Sequence, residues 1–200
     1  DYRYKSLDKW KEIYYKESQI FNRNDYELCQ ESVYGIPEFN QNEIKKSRII
    51  ACPGCYPTSA LIPLIPFMLQ GIIESEGIII DSKSGISGGG RTPKEHLLYA
   101  EAGEGISAYG LLTHRHTSEI EQILSYVSGL NIQLIFTPHL IPIVRGMFST
   151  IYGRLKDPGL TADDCKILLE NFYRNCSNVK ILPVGTYPSS KWAKNSNDIY

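Results

Sequence analysis

The longest apolar run of the chain, Ala60–Leu69, is interrupted by two prolines, Pro63 and Pro66. It falls short of the roughly 20 apolar residues that a membrane-spanning helix needs, so no membrane partner is expected. A proline lacks an amide hydrogen and clashes with the preceding turn, so a helix here must be kinked or split. The segment therefore predicts a buried, interrupted helical element that begins after Pro57.

The length and composition suit one globular domain of ordinary size, or one large domain and one vestigial domain. The 200 residues are 42% hydrophobic and 22% charged, which is enough to build one core. The formal net charge is −1, from 21 basic and 22 acidic side chains without a basic cluster. A nucleic-acid partner is therefore not expected. The first residue is Asp1 rather than methionine, which predicts a processed start or a longer protein.

Short strands and helices alternate along the chain. Periodicity and capping residues predict helices over Leu7–Tyr15, Asn40–Lys46, Ser118–Val127 and Thr161–Tyr173. Runs rich in β-branched and aromatic residues predict strands over Ser32–Tyr34, Arg48–Ala51, Gly77–Ser82, Asn131–Thr137, Phe148–Leu155 and Val179–Leu182. This mixture predicts an α/β or α+β fold with a sheet of about five or six strands.

Two cysteines, Cys52 and Cys55, flank the turn signal Pro53-Gly54. Cys55 is expected at the turn just before a helix, where free backbone N–H groups and the helix dipole stabilise an anion. This environment lowers a thiol pKa, so the pattern favours Cys55 as a nucleophile over a matched pair. A buried inert cysteine, a redox couple and half of a zinc site stay open as alternatives.

The remaining cysteines and histidines do not form a metal-binding pattern. The chain has five cysteines and four histidines, without a second Cys-x-x-Cys motif. An odd, irregularly spaced set argues against a secreted disulfide framework and favours a reducing compartment. His114 and His116 could ligate a metal, but alternate residues of a strand point to opposite faces. No metal site is predicted.

A glycine-rich segment over Asp81–Arg91 reads DSKSGISGGGR. Glycines let backbone N–H groups approach an anion closely, and Arg91 adds a fork for phosphate or carboxylate. The spacing of the glycines matches neither the Rossmann fingerprint nor a P-loop. An anion-binding loop and a flexible surface loop are both compatible with this segment.

Two further segments carry candidate catalytic side chains. His114 and His116, in THRHTSEIEQ, are expected near the start of a helix, where a neutral imidazole could move a proton for a thiol ester reaction. FTPHLIPIVRG places His139 and Arg145 in a proline-rich loop between two strands. Each set could equally be ordinary surface side chains.

Five motifs occur in one order along the chain: SVYGIPEF, PGCYPTSA, SGISGGGR, AYGLLTHRHTSEIEQ and FTPHLIPIVRGMFSTIY. In this set the chain resembles the N-acetyl-gamma-glutamyl-phosphate reductases, the acyl-phosphate reductases of arginine biosynthesis. The resemblance implies an α+β fold, with a mixed sheet flanked by helices as in the dimerisation and catalytic domain of the semialdehyde dehydrogenases. It implies that residues 1–50 are the tail of a dinucleotide-binding domain, most of which is missing, and that residues 51–200 are the catalytic domain.

The resemblance also implies a reaction. NADPH-dependent reduction of N-acetyl-L-glutamyl 5-phosphate to the semialdehyde would pass through a thioester on Cys55, with His114 or His116 as the acid and base. The implied substrate-binding residues are Arg91, Arg115 and Arg145. The implied residues around NADP are Ser84, Gly85, Ser87, Gly88 and Asn197.

Two positions depart from the family pattern. Cys52 replaces an asparagine, and Asn195 replaces a glycine just before Asn197. The family would be a homodimer or homotetramer that acts on a small acyl phosphate, in the bacterial cytoplasm or in an organelle of plants or fungi. The alternatives are a reductase of another acyl phosphate, such as aspartate-semialdehyde dehydrogenase, an inactive dimerisation module and a dithiol redox protein.

Overall fold

The computed structural model of the chain describes residues 2–6, 9, 11 and 26–200. The α-helices are α1 (Tyr26–Glu31), α2 (Pro37–Lys46), α3 (Cys55–Leu69), α4 (Tyr99–Ala102), α5 (Arg115–Ser128) and α6 (Ala162–Tyr173). The strands are β1 (Val33–Tyr34), β2 (Ile50–Ala51), β3 (Ile78–Ser84), β4 (Ser107–Ala108), β5 (Leu134–Leu140) and β6 (Met147–Tyr152). Short 3₁₀ helices cover Ile86–Gly89 and Glu95–Leu97. The helix predicted over Leu7–Tyr15 falls almost entirely outside the described residues.

In the described part of the chain the strands form two sheets rather than the one expected. β1 and β2 pair in parallel, and the other four strands are ordered β4-β5-β3-β6. β3 runs parallel to β5, whereas β6 is antiparallel to β3 and β4 is antiparallel to β5. The predicted strand over Val179–Leu182 is reduced to one bridge between Val179 and Ile199. A mixed sheet with helices confirms the α+β class.

The larger sheet is buried on one face only. Along β3 the side chains alternate, with Ile78 and Ile80 fully buried and Ile79 38% exposed between them. The buried face packs against α3 and α5. The core there is completed by Leu61, Ile65, Ile120, Leu124 and Phe136. On the opposite face Ile135 and Tyr152 are about half exposed, so this face lacks a covering helix among the described residues.

Helix α3 runs without interruption through Pro63 and Pro66, so the expected split is wrong. Pro66 has no N–H to donate to the carbonyl of Ile62, four residues earlier. The hydroxyl of Tyr173, on α6, donates to that carbonyl instead. A neighbouring helix thus satisfies a backbone group that the proline leaves free. No helix of the described residues is both long and apolar enough to cross a bilayer.

Helix α2 begins at Pro37, earlier than the predicted cap Asn40. Proline is suited to the first helical position, where its missing N–H is not needed. Asn40 lies at a kink inside the helix, with φ of −128° and ψ of 41°, and its amide donates to the carbonyl of Tyr34. In contrast, Thr161 caps α6 as expected, in a capping box with Asp164.

Candidate active site

Cys55 is the first residue of α3 and follows Gly54, whose φ of −66° and ψ of 160° make it an extended N-cap. Packing around the sulfur raises the pKa of the Cys55 thiol, although the residue as a whole is exposed. The N–H groups of Tyr56 and Cys55 act in the opposite direction but do not outweigh the packing. The position at a helix start is therefore confirmed, whereas the expected lowering of the thiol pKa is wrong for this chain.

Cys52 does not pair with Cys55. Both cysteines are free and exposed, and residues 52–54 contain neither a turn nor a bend, so the expected turn is also wrong. Cys55 begins a helix and lines the cavity, whereas Cys52 does neither, so the geometry favours a single nucleophile.

Both histidines of the HRH triplet lie at the start of α5. His114 is the N-cap, and its Nδ1 accepts a hydrogen bond of 3.1 Å from the backbone N–H of His116. The ring centroids are 4.7 Å apart, and both rings line the same cavity as Cys55. The predicted cap Ser118 is wrong, because the helix begins three residues earlier with His114 as its cap. Within the described residues no cluster of three or more possible metal ligands occurs.

The two imidazoles are neutral at pH 7. Burial, aided by the charge of Arg115, lowers the pKa of His114 to about 4. Burial, aided by His114 and Arg115, lowers the pKa of His116 to about 3. His116 is only 6% exposed, and its ring lies against Gly54, where an added Cβ would be 2.3 Å from Nε2. A neutral imidazole beside Gly54 is able to accept a proton.

Glu119 links α5, which begins at the two histidines, to Gly54, which precedes Cys55. Its role was not predicted from the sequence. The carboxylate is fully buried on α5, one turn after His116. Its Oε1 accepts hydrogen bonds from the N–H of Gly54 at 2.8 Å and from the hydroxyl of Tyr34 at 2.7 Å. Its Oε2 accepts from Arg3 at 2.9 Å. The three-residue spacing from His116, which places both on one helix face, was the signal available in the sequence.

Two tyrosines, Tyr56 and Tyr109, line the cavity together with Cys55, and their hydroxyls are hydrogen-bonded to each other. Tyr109 donates to the hydroxyl of Tyr56 at 2.9 Å, and Tyr56 donates to the carbonyl of His139 at 3.3 Å. Burial raises the pKa of both phenols, so both keep their protons at neutral pH. The Tyr56 ring also contacts the rings of His114 and His116 edge-on, at centroid distances of 5.8 and 5.9 Å. The tyrosine pair thereby forms one wall around the histidines.

A cavity of about 1190 Å³ opens over these groups. Of the three arginines predicted to bind substrate, Arg115 lines it, whereas the side chains of Arg91 and Arg145 are not part of its lining. Lys94 and His96 line it as well, and the sequence analysis assigned neither a role. Their sequence spacing gives no indication of this role, because the tertiary packing of their segment brings them to the cavity.

The glycine-rich segment is anchored rather than flexible. The N–H groups of residues 85–87 donate to carbonyls in the segment 143–146, and a 3₁₀ helix over Ile86–Gly89 follows. A Cβ at Gly85 would approach the carbonyl oxygen of Ile143 to 2.8 Å, so only glycine fits there. This contact joins the glycine-rich segment to the loop that contains Arg145, whereas His139, which was predicted in the same loop, lies in β5.

Two of the five residues predicted around NADP lie at the cavity. Ser84 and Gly88 line it, whereas Gly85, Ser87 and Asn197 do not. A Cβ at Gly88 would lie 2.6 Å from the buried Oγ of Ser84, so a larger residue at position 88 would have to displace that hydroxyl.

The described geometry can be compared with known proteins. The chain is 68% identical over 200 residues to the N-acetyl-gamma-glutamyl-phosphate reductase of Prochlorococcus marinus strain AS9601. It is 61% identical over 199 residues to the protein of the same name from strain NATL1A. The matches take in 100% of the chain but only 57% and 55% of these relatives. The chain therefore spans a little over half the length of the curated relatives it matches.

Solved structures show the same fold at low sequence identity. Aspartate semialdehyde dehydrogenase II from Vibrio cholerae matches with a TM-score of 0.62 and 14% identity, over 84% of this chain and 56% of that one. Aspartate semialdehyde dehydrogenase from Candida albicans, solved with NADP, matches with a TM-score of 0.60 and 15% identity, over 86% of this chain and 56% of that one. At this identity the likeness establishes the fold alone.

The family model described as "Semialdehyde dehydrogenase, dimerisation domain" matches residues 55–200. The match begins at Cys55, the first residue of α3, and includes α5 with its two histidines. It therefore covers most of the chain and all of the four-stranded sheet. On this evidence the chain belongs to the semialdehyde dehydrogenase dimerisation-domain family.

Proposed function

We propose that the protein containing this chain reduces N-acetyl-L-glutamyl 5-phosphate to N-acetyl-L-glutamate 5-semialdehyde with NADPH, in arginine biosynthesis. The observation that carries the proposal is the thiol of Cys55 at a helix start, in one cavity with two neutral imidazoles. Relatives with 68% identity to the chain bear the name of this reductase. The division of the chain near residue 50, between the tail of a cofactor domain and the catalytic domain, is part of the same proposal.

The first half of the reaction uses Cys55 as the nucleophile. Because its thiol pKa is raised, the sulfur needs a base, and we assign this role to the imidazole of His116, which lies against the neighbouring Gly54. The sulfur then attacks the acyl carbon, the bond from that carbon to the phosphate oxygen breaks, and inorganic phosphate leaves. The product of this half is a thioester on Cys55.

The second half reduces the thioester. NADPH, when bound, supplies the hydride to the thioester carbon. Ser84 and Gly88, which line the cavity, would hold the nicotinamide end. The thioester oxygen carries the resulting negative charge until the carbon–sulfur bond breaks. That oxygen re-forms a carbonyl as the carbon–sulfur bond breaks, which releases the aldehyde and returns the Cys55 thiolate to take its proton back from His116.

The negative charges of the substrate need cations in the cavity. Arg115, which also favours the Cys55 thiolate, and Lys94 line the cavity and suit the phosphate and the carboxylate. Arg91 and Arg145, which the family resemblance implied, are proposed with less support because their side chains are not in the cavity lining.

The matched pair Cys55→Ser and Cys52→Ser tests the reaction in the complete protein. The assay follows phosphate-dependent formation of NADPH from the semialdehyde, the reverse reaction. Cys55→Ser is expected to lose at least about 10³-fold in kcat, as other nucleophile replacements do. Cys52→Ser is expected to stay close to wild type. Wild-type turnover in Cys55→Ser would refute the thioester, and faster turnover of aspartate semialdehyde would give the protein another substrate.

We further propose that the partner of this chain is a second copy of it, in a homodimer or a homotetramer. The matching family model is described as a dimerisation domain. The outer face of the four-stranded sheet, made of the outward side chains of β3, β5 and β6, exposes Ile79, Ile135 and Tyr152 without a covering helix among the described residues. A cytoplasmic location is proposed as well, because the relatives named above are bacterial.

A further inference from the structure

Residues 3–5 lie outside the part of the chain that the family model matches, and yet they are hydrogen-bonded to α5. The hydroxyl of Tyr4, which is fully buried, donates to the carbonyl of Arg115 at 2.8 Å. The side chain of Gln122 donates to the carbonyl of Arg3 at 2.8 Å and accepts from the N–H of Lys5 at 3.3 Å. These bonds hold the segment along the helix that begins at the two histidines.

From this segment the side chain of Arg3 reaches the buried carboxylate of Glu119. The distance from Nη1 to Oε2 is 2.9 Å, and the side chains are 13% and 0% exposed. A buried carboxylate is costly unless a cation or several hydrogen bonds compensate it. Arg3 supplies the positive charge, and the other carboxylate oxygen accepts from Gly54. The arginine is therefore linked to Cys55 through one carboxylate and one peptide N–H.

We propose that Arg3 is a positioning residue for Cys55. Its guanidinium holds the Glu119 carboxylate in the orientation that fixes the Gly54 N–H, and with it the start of α3 beside His116. The proposal deepens the function proposed above and rests on it only where turnover is measured.

The loss of Arg3 leaves the Glu119 carboxylate two responses. The carboxylate could turn toward water, which would release the Gly54 N–H and loosen the start of α3. It could otherwise stay in place without a counter-charge, and its negative charge would then oppose ionisation of the nearby Cys55 sulfur. In both cases the sulfur becomes less reactive and less well placed against the imidazole.

The chain provides a matched control in Arg48 and Glu31. Both pairs join an arginine to a glutamate, but Arg48 and Glu31 have side chains that are 73% and 39% exposed. Exposed ion pairs contribute little, because water solvates both partners. Arg48→Met is therefore expected to leave both the reactivity of Cys55 and turnover unchanged.

Alkylation of Cys55 by iodoacetamide tests the proposal without any assay of turnover. The complete protein is used in its wild-type, Arg3→Met, Arg3→Lys and Arg48→Met forms, and mass spectrometry follows Cys55 as a function of pH. Arg3→Met should slow the alkylation near pH 7 by roughly tenfold, the loss of thiolate that a rise of about one pKa unit produces, and should move the pH profile upward. Arg3→Lys should recover most of the rate, since the Arg3–Glu119 bond uses a single nitrogen.

Turnover gives a second measurement. A positioning role predicts that Arg3→Met lowers kcat by roughly 10- to 100-fold with little change in KM. Because Arg3 also lines the cavity, a raised KM with unchanged alkylation would make it a substrate-binding residue and overturn the proposal. Alkylation and kcat that match those of Arg48→Met would overturn it too.

Folding and function are controlled separately. Thermal melting identifies an Arg3→Met protein that does not fold, and Arg3→Gln, which keeps an N–H donor without the charge, then replaces it with the same expected loss. If the wild-type protein does not turn over the acyl phosphate but Arg3→Met still slows alkylation, the proposed reaction fails and the positioning role stands.

Discussion

Gly54 owes its identity to the ring of His116. A Cβ at this position would lie 2.3 Å from Nε2 and 2.8 Å from Cδ2 and Cε1 of the ring. The φ of −66° suits any residue, so the constraint comes from contact and not from the backbone. Gly54→Ala should therefore lower the free energy of unfolding by about 1–3 kcal/mol, the usual cost of overpacking, and slow turnover as the ring moves. Urea denaturation and steady-state kinetics measure the two effects.

A control glycine separates contact from a general effect of alanine. Gly105 is exposed, and a Cβ there would meet only the carbonyl oxygen of Gly103, at 3.9 Å. Gly105→Ala should leave the urea midpoint and kcat unchanged. An unchanged Gly54→Ala protein would show that the ring has room to move away.

The two buried histidines make stability depend on pH. Burial lowers the pKa of His116 to about 3 and that of His114 to about 4, from 6.5. The unfolded chain therefore binds protons at pH 5 that the folded chain does not, so stability is full above about pH 6.5 and falls as the pH drops toward 4. The urea midpoint should be lower at pH 5 than at pH 7, and His116→Gln should reduce the corresponding difference in unfolding free energy by on the order of 1 kcal/mol.

An exposed histidine provides the comparison for this pH effect. His96 is exposed, and His96→Gln should keep the full difference between the two midpoints. If His116→Gln also keeps the full difference, other groups cause the loss of stability and the assignment to His116 is wrong.

The residue types around Cys55 predicted its position at the start of a helix but not the direction in which its thiol pKa is shifted. A cysteine after Pro-Gly and before a helical pattern predicts the N-terminal position from local rules alone. The direction of its pKa shift depends on what packs around the sulfur, including α5 and its Glu119, more than sixty positions away. Glu119 was missed for the same reason: its partners Tyr34 and Gly54 are distant in sequence and belong to other parts of the fold.

At the scale of elements, α3 depends on a hydroxyl from α6. Tyr173, which is 4% exposed, donates to the carbonyl of Ile62 that Pro66 leaves free. Tyr173→Phe removes the donor and leaves a buried carbonyl without a partner. The expected loss is about 1–3 kcal/mol of unfolding free energy, measured by urea denaturation. Tyr126→Phe, at a tyrosine that is 80% exposed, should cost nothing measurable.

A double variant identifies the mechanism of that loss. Pro66→Ala restores an N–H that can donate to the Ile62 carbonyl within the helix. Tyr173→Phe should therefore cost less in the Pro66→Ala background than in wild type. Equal costs in the two backgrounds would mean that Tyr173 acts by packing and that the carbonyl is satisfied in another way.

The start of α5 was predicted wrongly because tertiary contacts, rather than residue type, determine its N-cap. Ser118 is a better cap than histidine by residue type, and a glutamate follows it three residues later, so local rules favour it. The structure begins α5 at Arg115 because His114 caps the helix with its own ring nitrogen. The ring is held by edge-on contacts with Tyr56 and Phe136, which belong to α3 and β5.

At the scale of the whole molecule, most strands were foreseen but their order was not. Alternation along β3 and β5 predicts each strand from its own residues. Pairing of β3 with β5 and β6 joins segments more than fifty positions apart, and nothing local selects those neighbours. The register nevertheless aligns Ile79 with Ile135 and Tyr152, so that three apolar side chains share the outer face.

That outer face gives the prediction that concerns the assembly. Ile135 is 52% exposed at its centre, and a charge there would have to be buried if a second copy packs on the sheet. Ile135→Lys should shift the complete protein toward smaller species in analytical ultracentrifugation. Ile167→Lys, with a similar 53% exposure but on α6, should leave the assembly unchanged. Intact assemblies in Ile135→Lys would show that the copies meet through another surface, and dissociation in Ile167→Lys would place that surface at α6.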